Sequence, residues 1–158
     1  MPLAALTATL LATSLAPTAD VEAELRALQL DPPMLFPTAL PARLRDADAE
    51  LSTDSGVVVS WDRGEAGGNR VGEMTLSRGP RAQLNQDLRT SRTRGYRPRR
   101  TTVGTRKVWR ICGHVCGYEW SEQGRTYGVF GQYYVGDEDG QTVARDARAL
   151  IKRLAPLR

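Results

Sequence analysis

The chain has 158 residues, of which 41% are hydrophobic and 25% charged, with two cysteines. That size and balance fit one domain able to bury a core. They exclude a disordered, collagenous, multi-span membrane or disulfide-dense miniature protein. The net charge of +4 is unevenly spread: residues 1–88 carry seven basic and twelve acidic groups, residues 89–110 nine basic and no acidic groups, and residues 111–158 six of each. The basic stretch, rather than the chain as a whole, is what points to an anionic partner.

Residues 3–16 hold no charged side chain and alternate Leu and Ala with Thr and Ser. The run falls short of the roughly 20 residues that cross a bilayer, and its length suits the apolar core of a secretory signal. Ala16, Thr18 and Ala19 supply small residues, and Asp20 is the first acid. Residues 1–19 therefore read as a signal-like segment, truncated at its start because no Lys or Arg precedes the apolar run. An N-terminal helix of the folded domain is the competing reading. No cysteine is present there to carry a lipid anchor, and no transmembrane span is expected. Residues 20–158 form the expected single α+β domain.

Within it, Val21, Leu25 and Leu28 have helical spacing, predicting a helix over 21–30 that Pro32 and Pro33 stop. The apolar stretch Pro33-Met-Leu-Phe-Pro-Thr-Ala-Leu-Pro41 is too rich in proline for a central strand and is expected to lie extended along one edge. Residues 56–61 and 70–77 read as a hairpin around a glycine-rich loop, broken by Gly79-Pro80. One or two helical turns are expected over 83–89. Residues 90–106 have almost no apolar content and carry Gly95, Pro98 and Gly104, so 89–106 is expected to be a basic loop. Three strands follow at 107–112, 116–121 and 125–135. In the last, Tyr127, Val129, Gly131 and Tyr133 share one face. An acidic turn at 137–140 leads into an amphipathic helix over 141–154, marked by Val143, Ala147, Leu150, Ile151 and Leu154 and ended by Pro156. The expected fold is α+β: a mainly antiparallel sheet of about five strands with the C-terminal helix packed on one face.

Cys112-Gly-His-Val-Cys116 is the most chemically suggestive motif. In a hairpin with a three-residue turn the two cysteines face each other at bridging distance, so a disulfide is the leading expectation. A redox-active thiol pair is a second reading, although the spacing is not that of a C-x-x-C motif. A metal site is a third. His114 is the only histidine, so a fourth ligand would have to be a carboxylate such as Glu119. A single turn histidine also leaves no basis for a Ser-His-Asp triad. No catalytic residue, metal or cofactor is expected.

Arg89, Arg92, Arg94, Arg97, Arg99, Arg100, Arg106, Lys107 and Arg110 make up the basic stretch. Guanidinium groups suit bidentate contact with phosphate or carboxylate. Arg92, Arg94, Arg97, Arg99, Arg100, Arg106 and Lys107 are the candidate anion-binding residues. A solvated basic loop is the plainer reading. Nucleic acid is the less favoured partner, because Tyr96 is the one aromatic within 89–106 on which a base could stack. The acidic turn Asp137-Glu-Asp-Gly140 lacks the spacing of a calcium loop and suits a helix cap.

The stretch 33–41 resembles the P-x-x-x-P-x-x-L-P opening of small exported bacterial domains. These belong to Gram-positive and actinobacterial lipoproteins and to the outer domains of anti-sigma-like membrane proteins. Thr102-Val-Gly-Thr-Arg-Lys-Val108, Tyr118-Glu-Trp120, Gly124-x-x-Tyr127 and Ala147-x-x-Leu150-Ile151 resemble that family's closing hairpin and helix. The resemblance spans 33–154. It implies an exported, non-enzymatic binding module with an anionic envelope component or a protein as partner, and no catalytic residues to carry over.

Overall fold

The computed structural model describes residues 17–113, 115–137 and 140–158. Most of the signal-like segment, His114, Glu138 and Asp139 therefore lie outside the described residues. In chain order the elements are α1 (Pro17–Ala27), β1 (Leu35–Pro37), a 3-10 turn (Ala42–Leu44), β2 (Asp48–Ser52), β3 (Val57–Asp62), β4 (Glu65–Ala66), β5 (Asn69–Arg70), β6 (Gly72–Pro80), α2 (Gln83–Thr93), β7 (Arg99–Val103), β8 (Arg106–Cys112), β9 (Cys116–Glu122), β10 (Arg125–Tyr133), α3 (Gln141–Lys152) and β11 (Leu154–Pro156).

Seven strands form one antiparallel sheet in the order β2-β3-β6-β10-β9-β8-β7. The expectation of about five strands was too low, since it missed both edges, β2 and β7. Their sequences, Asp-Ala-Glu-Leu-Ser and Arg-Arg-Thr-Thr-Val, are mostly polar. An edge strand has fewer buried positions and gains from charge that discourages pairing with other chains, so its apolar alternation is weak. For the same reason the expected loop over 89–106 is corrected. Helix α2 runs to Thr93, and 99–103 is a strand paired to β8 from Arg99↔Arg110 to Val103↔Arg106.

Strand alternation divides the side chains between two faces. Val57, Val59 and Trp61 of β3, Met74 and Leu76 of β6, Tyr127, Val129 and Tyr133 of β10, and Tyr118 and Trp120 of β9 form the buried core face. Helix α3 crosses this face over β10, β9 and β7 and buries Val143, Ala147, Leu150 and Ile151. Gly131 allows the close approach: a Cβ there would lie 2.7 Å from Val143 Cγ2. Helix α1 packs beside β2 with Val21 and Leu25 in the same core. The proline-rich stretch is extended, as expected, and pairs with the C-terminal tail as the small sheet β1-β11, which closes one side of the core.

The opposite face carries α2. The Leu84 N–H donates to Thr126 Oγ1 at 3.2 Å, and that hydroxyl donates to the Arg81 carbonyl at 3.1 Å, fixing the first turn of α2 to β10. The helices are thus on both faces of the sheet.

Candidate functional site

Successive strand residues point to opposite faces, so the sheet splits the arginine run. Arg99 and Arg110 are register partners on the core-face side, next to Tyr118 of β9. There they meet α3, which supplies Arg145 and Arg148. The result is a groove of about 500 Å³ bordered by Arg99, Arg100, Arg110, Tyr118, Arg145 and Arg148. An adjoining hollow of about 250 Å³ is bordered by Arg97, Arg99, Arg110 and Cys112. All six arginines of the two hollows are exposed; five lie on strand or helix, and Arg97 leads into β7. None of the six has a carboxylate of a described residue within ion-pair distance.

Arg100, which also borders the groove, is the register partner of Trp109. Its guanidinium carbon is 5.2 Å from the Trp109 ring centroid, and that of Arg92 from α2 is 5.9 Å away. Both are within cation–π range of one ring. Arg94 follows the end of α2, and Lys107 alternates with Val108 onto the Trp109 side. Arg106 is committed inside the fold. Its Nε donates to Glu122 Oε2 at 2.7 Å and its Nη2 to Glu122 Oε1 at 3.2 Å, while Nη1 and Nη2 donate to the carbonyls of Ile151 and Leu154. Trp120 Nε1 donates to the same Glu122 carboxylate. Arg106 thereby ties the β8 hairpin to the end of α3.

The sequence reading missed Arg145 and Arg148, which lie far from the basic run in the chain. The available signal was their three-residue spacing on the polar side of the predicted C-terminal helix, which places them on one helical face.

Cys112 and Cys116 are register partners at the end of the β8–β9 hairpin and are joined by a disulfide, with a Cα–Cα distance of 4.2 Å. Such a bond belongs to an oxidising compartment. Glu119, the carboxylate weighed as a fourth metal ligand, is on the opposite face of β9 from the bridge. Among the described residues no group of three or more His, Cys, Asp or Glu side chains is placed to hold a metal ion. Asp137 caps α3: its two carboxylate oxygens accept the N–H groups of Thr142 and Val143 at 2.8 and 2.7 Å. No described helix is long and apolar enough to cross a membrane. No family model matches this chain, and neither does any curated protein or solved structure.

Proposed function

We propose that this chain is an exported, non-enzymatic binding module that holds a phosphate- or carboxylate-bearing polymer of the cell envelope in the groove between β7, β8 and α3. The observation that carries this reading is the convergence of Arg99 and Arg110 from the sheet with Arg145 and Arg148 from a helix about 40 residues away. Guanidinium forks from two rigid elements suit repeated bidentate contacts along an anionic chain. The hairpin disulfide and the signal-like start support export, and the resemblance at 33–41 and 102–151 agrees with it.

The test is binding of poly(glycerol phosphate) to the purified chain, compared with duplex DNA. Arg99→Ala, Arg145→Ala and Arg148→Ala together should weaken poly(glycerol phosphate) binding by about a hundredfold, on the order of 1 kcal/mol for each exposed contact. Arg92→Ala with Lys107→Ala, neither of which borders the groove, should change it little. Equal losses from the two sets, or tighter binding to duplex DNA, would overturn the reading. Export is tested by fractionation with thiol labelling: protein recovered outside the cytoplasm should label only after reduction.

A further inference from the structure

A second concavity lies under α2, on the sheet face opposite the arginine groove. It encloses about 310 Å³ and is walled by Ser77, Gln83, Asp87, Glu119, Thr126 and Gly128. Its volume is at the lower end of the range of small-ligand clefts. Gly128 keeps the floor open, because a Cβ there would lie 2.8 Å from Ser77 Oγ and 3.2 Å from the Phe130 ring.

Glu119 projects from β9 into this space. It is only 8% exposed, and its Oε2 is buried with no hydrogen-bond donor among the described residues. Asp87 of α2 faces it and accepts a hydrogen bond from Gln83 Nε2 at 2.8 Å. Burial first, then the charge of Asp87 and the hydrogen bond with it, push the Glu119 carboxyl up to about 8. Two carboxyl groups in a partly enclosed site ionise together only when a positive charge accompanies them. At neutral pH the proton held by Glu119 fills that role.

One buried guanidinium borders the groove, that of Arg78, whose Nε has no acceptor among the described residues. From α2 and β7, Arg92 and Arg100 both rest on the ring of Trp109, the register neighbour of Glu119. Arg78 of β6 borders the groove, and its Nη2 donates to the carbonyls of Asp31 and Pro32. β10 presents Thr126 and Gly128, neither of which is charged. The cluster offers carboxylate and hydroxyl oxygens, and no set of three metal-ligating side chains among the described residues.

We propose that this groove is a binding site for a small ammonium- or guanidinium-bearing ligand held between the Asp87 and Glu119 carboxyl groups. The N–H groups of such a ligand would supply the donor that Glu119 Oε2 lacks, and its charge would let Glu119 ionise beside Asp87. A neutral polyol would leave the proton in place. Binding therefore releases a proton at neutral pH.

The experiment is an amide NMR titration of the full chain with 1,4-diaminobutane and with arginine methyl ester, at pH 6, 7.5 and 9, with calcium chloride and maltose as comparisons. Shifts should concentrate at Ser77, Glu119, Thr126 and Gly128. Affinity should rise by about a hundredfold from pH 6 to pH 9, as expected from competition with a proton held near pH 8. Glu119→Gln, shown by circular dichroism to be folded, should weaken binding about tenfold or more and flatten the pH dependence. The proposal is overturned if neither amine shifts these residues, if Glu119→Gln binds as the wild type does, or if calcium or maltose produces the same shifts.

Discussion

A carboxyl group that keeps its proton in the folded state ties folding to pH. Glu119 titrates near 8 when folded, against an ordinary value of 4.5. Between those values the folded chain holds a proton that the unfolded chain has lost, so stability is greatest below this window and falls as pH rises through it. The slope should approach about 1.4 kcal/mol per pH unit in mid-window. Urea denaturation at pH 5, 7 and 9 should show that decline, and Glu119→Gln should remove most of it. Arg106 poses a different question at the same scale. Its side chain is largely buried and joins the Glu122 carboxylate and two carbonyls at the end of α3. Truncation would strip four donated hydrogen bonds from the Glu122 carboxylate and the two carbonyls, leaving Glu122 only the Trp120 donor, so Arg106→Ala should cost about 3 kcal/mol. In the still-folded fraction, polyanion binding should change far less than in the Arg99, Arg145 and Arg148 variants. A loss of binding at unchanged stability would instead place Arg106 in the groove.

At the scale of elements, the disulfide closes the β8–β9 hairpin across a very short loop. The chain-entropy gain for such a loop is about 2 kcal/mol, and removing it from a domain of this size should lower Tm by about 4–8 °C. Replacing both cysteines by serine and scanning by calorimetry checks this, and the hairpin register should persist because β9 is also paired to β10 over seven positions. The basic segment shows why element type matters for function. As a loop its arginines would be free to gather on any side. As the end of α2 followed by edge strand β7, they are held in fixed places: Arg97, Arg99 and Arg100 border the two hollows with Arg110, and Arg92 and Arg94 do not. Charge on both edge strands, acidic on β2 and basic on β7, also discourages strand addition by a second chain.

Across the whole molecule, the sheet separates two sites of opposite character: an arginine groove beside α3 and a carboxyl pair beneath α2. Their separation by the sheet predicts independent behaviour. Raising salt from 50 to 200 mM should weaken polyanion binding steeply, in proportion to the number of anionic groups neutralised. Removing Arg145 and Arg148 should lower that slope by about 2. The same two substitutions should leave diamine binding at the α2 groove within about twofold, because neither side chain borders that groove and the sheet lies between. Paired titrations on one preparation measure both effects, and coupled losses would argue that one surface serves both ligands.

The sequence by itself determined the central elements of this protein. Strict alternation in Val57–Asp62, the hairpin cysteines and the apolar stripe of α3 each follow from a local period that one buried face imposes. It also located the arginine run. What only the tertiary structure decided was which charges act together. The edge strands carry too little apolar signal to read, so the run looked like a loop and its division between faces was hidden. Arg145 and Arg148 joined Arg99 and Arg110 only because α3 packs across β7, and Asp87 met Glu119 only because α2 folds back over β9 and β10. Both encounters are long-range, between residues that no local spacing relates. The net charge of +4 belongs to the chain, while the arginine-lined groove belongs to the packing of one helix on one sheet edge.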